Sequence, residues 1–331
     1  MQQRRMGADG PMVSALGIGA MSFTNVYGPT DEAQSFALLD AALDAGVTHL
    51  DTANVYGRGR SETVIGNFLA ERGAGTRERF HIATKAAIRA EDGRRWFDNS
   101  PEHLEGELDK SLKRLGIDSV DLFYVHRRDP EVPIEEVTGT LTRLVEAGKT
   151  RAFGFSEIAP SSLRRAVSVA PVASVQSEYS LWSRGPELGL VQACTELGTT
   201  LVAFSPVGRS MLTDNPIPLE RLGECDLLPE MPRFQEPNYS TNMAIADGFR
   251  ALAAEMGLPA AGLAIAWLLA QGDHIIPIPG TRSVAHFLEF VAGTKVALTS
   301  EHLARIEDVL PVGWAHGERY SKAQWVGPEI Y

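Results

Sequence analysis

A strand-then-helix alternation, repeated eight times, limits this chain more than any other feature. Short apolar runs read as strands at Leu16–Ala20, His49–Asp51, His81–Thr84, Asp121–Val125, Ala152–Phe155, Val172–Gln176, Thr200–Phe204 and Ile275–Ile278. Helix-periodic segments follow them, among them Asp31–Ala45, Pro101–Leu115, Ile134–Ala147, Pro186–Leu197, Asn242–Met256 and Val284–Val291. Ser100, Pro101 and Glu102 supply a cap, a first-turn proline and a first-turn acid, while Gly116 and Gly148 stop helices. Strands this apolar have both faces buried, and a helix between each pair makes neighbouring strands parallel.

Eight such units without a break in composition predict one closed (β/α)8 barrel over residues 1–331, in a single domain. The length of 331 residues exceeds the roughly 250 of a typical barrel of this kind, leaving room for additions. One is the proline-rich stretch from Val207 to Asn242, between the seventh strand and its helix. It falls on the face where barrel enzymes keep their sites, so it reads as a lid or substrate loop. The other is the aromatic-bearing tail after Leu310, expected over the barrel or else without fixed packing. An open doubly wound sheet is the competing topology. Its glycine fingerprint is incomplete: Gly17-Ile18-Gly19 is followed by Ser22 where a third glycine belongs.

Composition excludes several classes. A net charge of −11 argues against nucleic acid or an anionic membrane as partner, so an anionic ligand would need a local cation. Cys194 and Cys225 form no CxxC or Cys/His cluster, which suits a reducing compartment and gives no zinc framework. The N-terminus lacks the apolar core of a signal peptide, and Leu263–Ala270 is too short to span a bilayer. The expectation is a cytoplasmic protein with a small-molecule substrate.

Polar residues stand at or just past the C-terminal ends of the strand-like runs: Asp51 and Tyr56, Lys85, and His126. In a parallel barrel they gather at one mouth. Tyrosine is a poor proton donor at neutral pH, with an unperturbed pKa of about 10. A lysine ammonium at about 4 Å favours phenolate by roughly 4 kcal/mol at an effective dielectric near 20, at most about three pKa units. Lys85 is expected to tune Tyr56 in this way, with Asp51 keeping Lys85 charged and His126 donating to a carbonyl oxygen. Each residue alone has an ordinary structural reading as a turn cap, a solvated charge or a core histidine. Together they point to carbonyl reduction.

DTANVYGRGRSE, IATK, LFYVHRRD, GFSE, VQSEYSLWSR, VAFSPVGR and IPIPGTR run in an order and spacing that resembles the aldo-keto reductase superfamily, from Leu16 to Val291. The similarity is greatest to the branch with pyridoxal-reductase-like and auxin-induced-type members. The resemblance implies a TIM barrel and NADPH-dependent reduction of an aldehyde or ketone, with Tyr56 as the acid. It further implies that Ser156, Glu157 and Gln176 meet the nicotinamide carboxamide and that Phe204 stacks on its ring. Ser205, Pro206, Val207, Gly208 and Arg209 would follow the pyrophosphate. Gly280, Thr281 and Arg282 would open the last barrel helix and meet the 2′-phosphate of NADP, with Glu289 among the cofactor contacts.

Three positions depart from the common pattern of that superfamily: Glu157 in place of Asn, Phe290 in place of Asn, and His286 in place of Arg or Gln. They bear on NADP over NAD preference and leave the four mouth residues untouched. Phe23, Tyr27, Trp96, Phe97 and Trp182 are candidate mouth aromatics. Arg127 and Arg128 either attract an acidic substrate or pair with Asp129 and Glu131. An NADP-binding regulatory subunit, like the superfamily members that associate with potassium channels, is the alternative function. Schiff-base chemistry at Lys85 would need a lysine of depressed pKa. Metal-dependent hydrolysis lacks a histidine cluster.

Overall fold

The computed structural model describes residues 1–91 and 94–330. Eight parallel strands form the barrel: β1 Gly17–Gly19, β2 His49–Asp51, β3 His81–Ala86, β4 Val120–Val125, β5 Thr150–Ser156, β6 Ser174–Glu178, β7 Thr200–Phe204 and β8 Ile275–Pro277. They are bonded in chain order, and the Gly19 N–H donating to Pro279 O at 3.0 Å joins the two ends. That bond brings the two edge strands together and nearly closes the barrel. This is the expected (β/α)8 barrel, and the open-sheet topology is excluded.

The period of two along a strand sets what points inward. Ala83, Leu122, Tyr124, Val202, Ile276 and Ile278 form the inner core with Met6 and Val13. Tyr124 fills the axis and donates to Ser174 Oγ at 2.8 Å. Gly154 makes room for it, since a Cβ there would stand 2.7 Å from the Tyr124 ring. The next inward positions up β3 and β4 are Lys85 and His126, so the alternation itself carries both to the mouth. Met6 and Val13 come from an N-terminal hairpin, Gln3–Arg5 paired with Met12–Ser14, that plugs the barrel floor.

The helices differ in detail from the sequence reading. Asp31 caps Glu32–Ala45 by accepting from Gln34 N at 2.8 Å, and Ser100 caps Pro101–Leu115. The helix expected from Pro186 is a 3-10 turn, Gly185–Leu188, then a helix from Leu190, because Gly189 at φ 131° breaks the run. The seventh-strand helix starts earlier, at Asn238, and runs to Glu255. The apolar stretch noted for its hydropathy lies in a further helix, Ala260–Ala270, buried along nearly its whole length. Among the described residues no single helix is long and apolar enough to cross a membrane.

Candidate active site

The C-terminal ends of the strands surround a cavity of about 980 Å³. Asp51, Tyr56 and His126 line it, and Lys85 lies fully buried in its base. Asp51 closes β2, Tyr56 sits in the turn after it, Lys85 is the penultimate residue of β3, and His126 directly follows β4. The four residues singled out from sequence therefore meet at one place.

Lys85 Nζ donates to Asp51 Oδ1 and to Thr52 O, the latter at 2.7 Å. The ammonium is held between two rings, 5.2 Å from the Tyr56 centroid and 5.8 Å from that of Tyr124. Asp51 Oδ2 accepts from Gln176 Nε2 at 2.8 Å, so the carboxylate is fixed from both sides. Edge to face with Tyr56, the His126 ring stands at 5.8 Å between centroids and 80° between planes. His126 Nδ1 is buried without a partner.

Burial raises the Tyr56 phenol well above its ordinary pKa, and Asp51 raises it further; Arg127 opposes them. The Lys85 ammonium meanwhile stays bonded to Asp51 and the Thr52 carbonyl. Lys85 itself is lowered, by burial first, with Asp51 opposing. His126 is held well below its usual value by burial and then by the charge of Arg127. At neutral pH the site presents a neutral phenol and a neutral imidazole over a lysine–carboxylate pair.

Of the residues assigned to the cofactor, Ser156, Gln176, Phe204, Ser205, Pro206, Val207, Arg209, Gly280, Thr281, Arg282 and Glu289 line the same cavity. Glu157 and Gly208 do not. Glu157 Oε1 accepts from the Glu178 N–H at 2.8 Å, and both its oxygens take the Arg319 guanidinium from the tail. That carboxylate is committed to Arg319 and the Glu178 N–H. Gly208, at φ 58°, packs against Trp182. Gly280, Thr281 and Arg282 precede the last barrel helix rather than open it, since Val284–Gly293 is capped by Ser283. Arg282 Nη1 donates to Pro29 O at 2.7 Å, beside the cavity.

The mouth aromatics divide. Tyr27 lines the cavity, and its hydroxyl accepts from Arg209 Nη1 at 3.0 Å. Phe23 and Phe97 are buried in packing, and Trp182 stacks on Trp314 with centroids 6.1 Å apart. Trp96 lies under Arg89 at 5.1 Å, away from the cavity lining. Sequence reasoning missed Tyr320 and Gln324, which bring the tail onto the cavity wall. Their neighbourhood in space comes from the Arg319–Glu157 pair, which no local pattern announces. The loop after β7 also reaches across: Asp226 N–H donates to Val26 O at 3.0 Å.

A parallel barrel with acid and base groups gathered at the strand C-termini defines an enzyme of the TIM-barrel type. The Aldo/keto reductase family matches residues 15–311, and the chain belongs to that family. It is 38% identical over 322 residues to aldo-keto reductase yakc (NADP(+)) of Schizosaccharomyces pombe, covering 96% of this chain and 94% of that protein. A probable aldo-keto reductase 1 of Glycine max is 36% identical over 326 residues, covering 97% and 92%. The solved glycerol dehydrogenase AKR11B4 from Gluconobacter oxydans superposes with a TM-score of 0.80 at 28% identity, covering 93% and 94%. The holo form of aldo-keto reductase AKR11C1 from Bacillus halodurans gives 0.77 at 26%, covering 98% and 99%.

Proposed function

We propose that this protein reduces an aldehyde or ketone to an alcohol with NADPH, and that Tyr56 delivers the proton. One observation carries the reading: the Lys85–Asp51 pair buried beneath Tyr56 and His126 at the cavity base. The nicotinamide would supply hydride. Tyr56 keeps its proton until it is needed, because a half-buried phenol beside a carboxylate resists ionisation. An alkoxide is a far stronger base than phenolate, so the transfer needs a proton held in position more than a strongly acidic phenol. Lys85 and Arg127 then stabilise the phenolate left behind. His126, kept neutral, donates one N–H to the carbonyl oxygen without giving up a proton.

The donor set fits the cofactor. Arg209 and Arg282 put two guanidiniums on the cavity wall of an acidic chain, which suits pyrophosphate and 2′-phosphate. Phe204 offers a ring face, and Ser156 and Gln176 present a hydroxyl and an amide where a carboxamide would lie. The yeast relative is named for NADP(+), which agrees with this assignment. Two cysteines without a disulfide suit a cytoplasmic setting. Turnover of NADPH with an aromatic aldehyde is the test. Tyr56→Phe is expected to abolish it while NADPH still quenches protein fluorescence; full activity in that variant overturns the assignment of the acid.

A further inference from the structure

Arg127 follows His126, is only 7% exposed, and lines the cavity. Its Nη1 donates to His126 O at 2.6 Å and to Ser156 Oγ at 3.0 Å. A guanidinium carries five N–H donors, and among the described residues Nε and Nη2 of Arg127 have no protein acceptor. No carboxylate among the described residues pairs with it. Its neighbours differ in this respect. Arg128 is bound to Glu329 at 2.8 Å, not to Asp129 or Glu131 as one sequence reading had it. Arg209 is bound to Glu178, and Arg319 to Glu157. In a chain with 42 acidic against 31 basic residues, a buried arginine left without an acid is not explained by shortage.

Arg95 reaches the same cavity from the hairpin Ile88–Glu91 and Arg94–Phe97. Arg95 is exposed on the hairpin, yet the wall around it lowers its pKa by desolvation and the charge of Arg127 lowers it further, so the two cations repel across shared space. A buried charge without an acid beside it, as Arg127 is, is costly unless a ligand brings the opposite sign.

We propose that Arg127, assisted by Arg95, forms an anion subsite beside the reacting carbonyl, and that the substrates are aldehydes or ketones bearing a carboxylate or phosphate. The inference rests on the carbonyl-reduction reading and narrows its substrate class. Arg209 and Arg282 serve the cofactor phosphates, so this second pair of cations is available to the substrate.

Matched substrates test it: 4-carboxybenzaldehyde against its methyl ester, and glyceraldehyde 3-phosphate against glyceraldehyde, each with NADPH. The wild type is expected to favour the anionic member of at least one pair in kcat/KM by about ten- to a hundredfold, the scale of one charged hydrogen-bonded contact. The pair that shows it tells carboxylate from phosphate. Arg127→Met is expected to erase that ratio, Arg127→Lys to restore part of it, and Arg95→Met, on the hairpin surface, to reduce it less. Equal rates for charged and neutral members in the wild type, or equal loss on both in Arg127→Met, overturns the subsite. So does a weakened NADPH affinity in Arg127→Met that accounts for the whole loss. Calorimetry of 4-(hydroxymethyl)benzoate binding to the protein–NADPH complex separates the two readings. Arg127-dependent binding without turnover of any aldehyde leaves the subsite standing and sinks the reduction.

Discussion

The two ends of the barrel are built from the same eight strands and treat polar groups in opposite ways. At the floor, Asp121 accepts from Ile82 N at 2.8 Å and pairs with Arg77 and Arg151. Arg4 donates to the carbonyls of Gly272, Leu269 and Ile275, and His49 and His81 share an Nδ1–Nδ1 contact of 3.1 Å. At the mouth, Lys85 and Asp51 are buried under a cavity, His126 Nδ1 has no partner, and Arg127 has spare donors. Backbone strain follows the same division. Each described non-glycine residue with positive φ lies on the mouth side: Arg58, Ala87, Glu157, Ser205, Arg209 and Ser210. Such conformations cost of order 1–3 kcal/mol each and persist where surrounding structure holds them. The floor holds the barrel together, and the mouth carries strain and unmatched charge that only a reaction can use.

Substitutions at the two ends should therefore separate activity from stability. The largest effect is expected for Lys85→Met: turnover should fall about 10²–10⁴-fold, the range for loss of assisted proton transfer, with NADPH affinity little changed. The wild type's alkaline fall in activity should set in below the usual lysine pKa of 10.5, since Lys85 is lowered and loses its charge earlier as pH rises. Steady-state rates across pH, beside fluorescence titration of NADPH, check both; an unchanged kcat breaks the distinction between the ends. Next is Leu122→Ala on the floor side, expected to cost about 2–5 kcal/mol in urea unfolding while turnover per folded molecule stays within a factor of about two. A large drop in kcat there would mean the floor shapes the site directly.

Smallest is the acid sensitivity of the His49–His81 pair. Both pKa values lie below the ordinary 6.5, His49 by burial and His81 by burial and then by His49. The unfolded chain takes up protons below 6.5 while the folded chain does not, so this contribution is present above that value and fades as pH falls. The slope is at most about 1.4 kcal/mol per pH unit for each histidine. His81→Gln should flatten the loss of urea stability between neutral and mildly acid pH, and an unaltered slope assigns that loss elsewhere.

Much of this was legible in the chain. Strands β2 and β7 fall on the residues read from apolar runs, and the other six shift by up to two residues. Asp51, Lys85 and His126 were visible because strand ends and a period of two fix their side. Three things were hidden. Glu157 looked like a cofactor contact, since its partner Arg319 lies 162 residues away and long-range ion pairs leave no local trace. The upward shift of Tyr56 depends on how dry its surroundings are, which spacing does not reveal. Trp182 and Phe97 read as mouth aromatics, but apolar rings after a strand are equally suited to packing beneath a loop.

The stitching of Glu157 and Glu178 to Arg319, Arg209 and Tyr320 has a practical meaning for anyone building chimeras. Grafting the final segment from a homologue, to borrow its preference, would strand Glu157 unless the Arg319 cation travels with it. Glu178 would keep Arg209 and lose only the more distant Arg319. The interchangeable cassette in this scaffold is scattered: a strand end, a piece of the long loop and the terminal segment have to be exchanged as one.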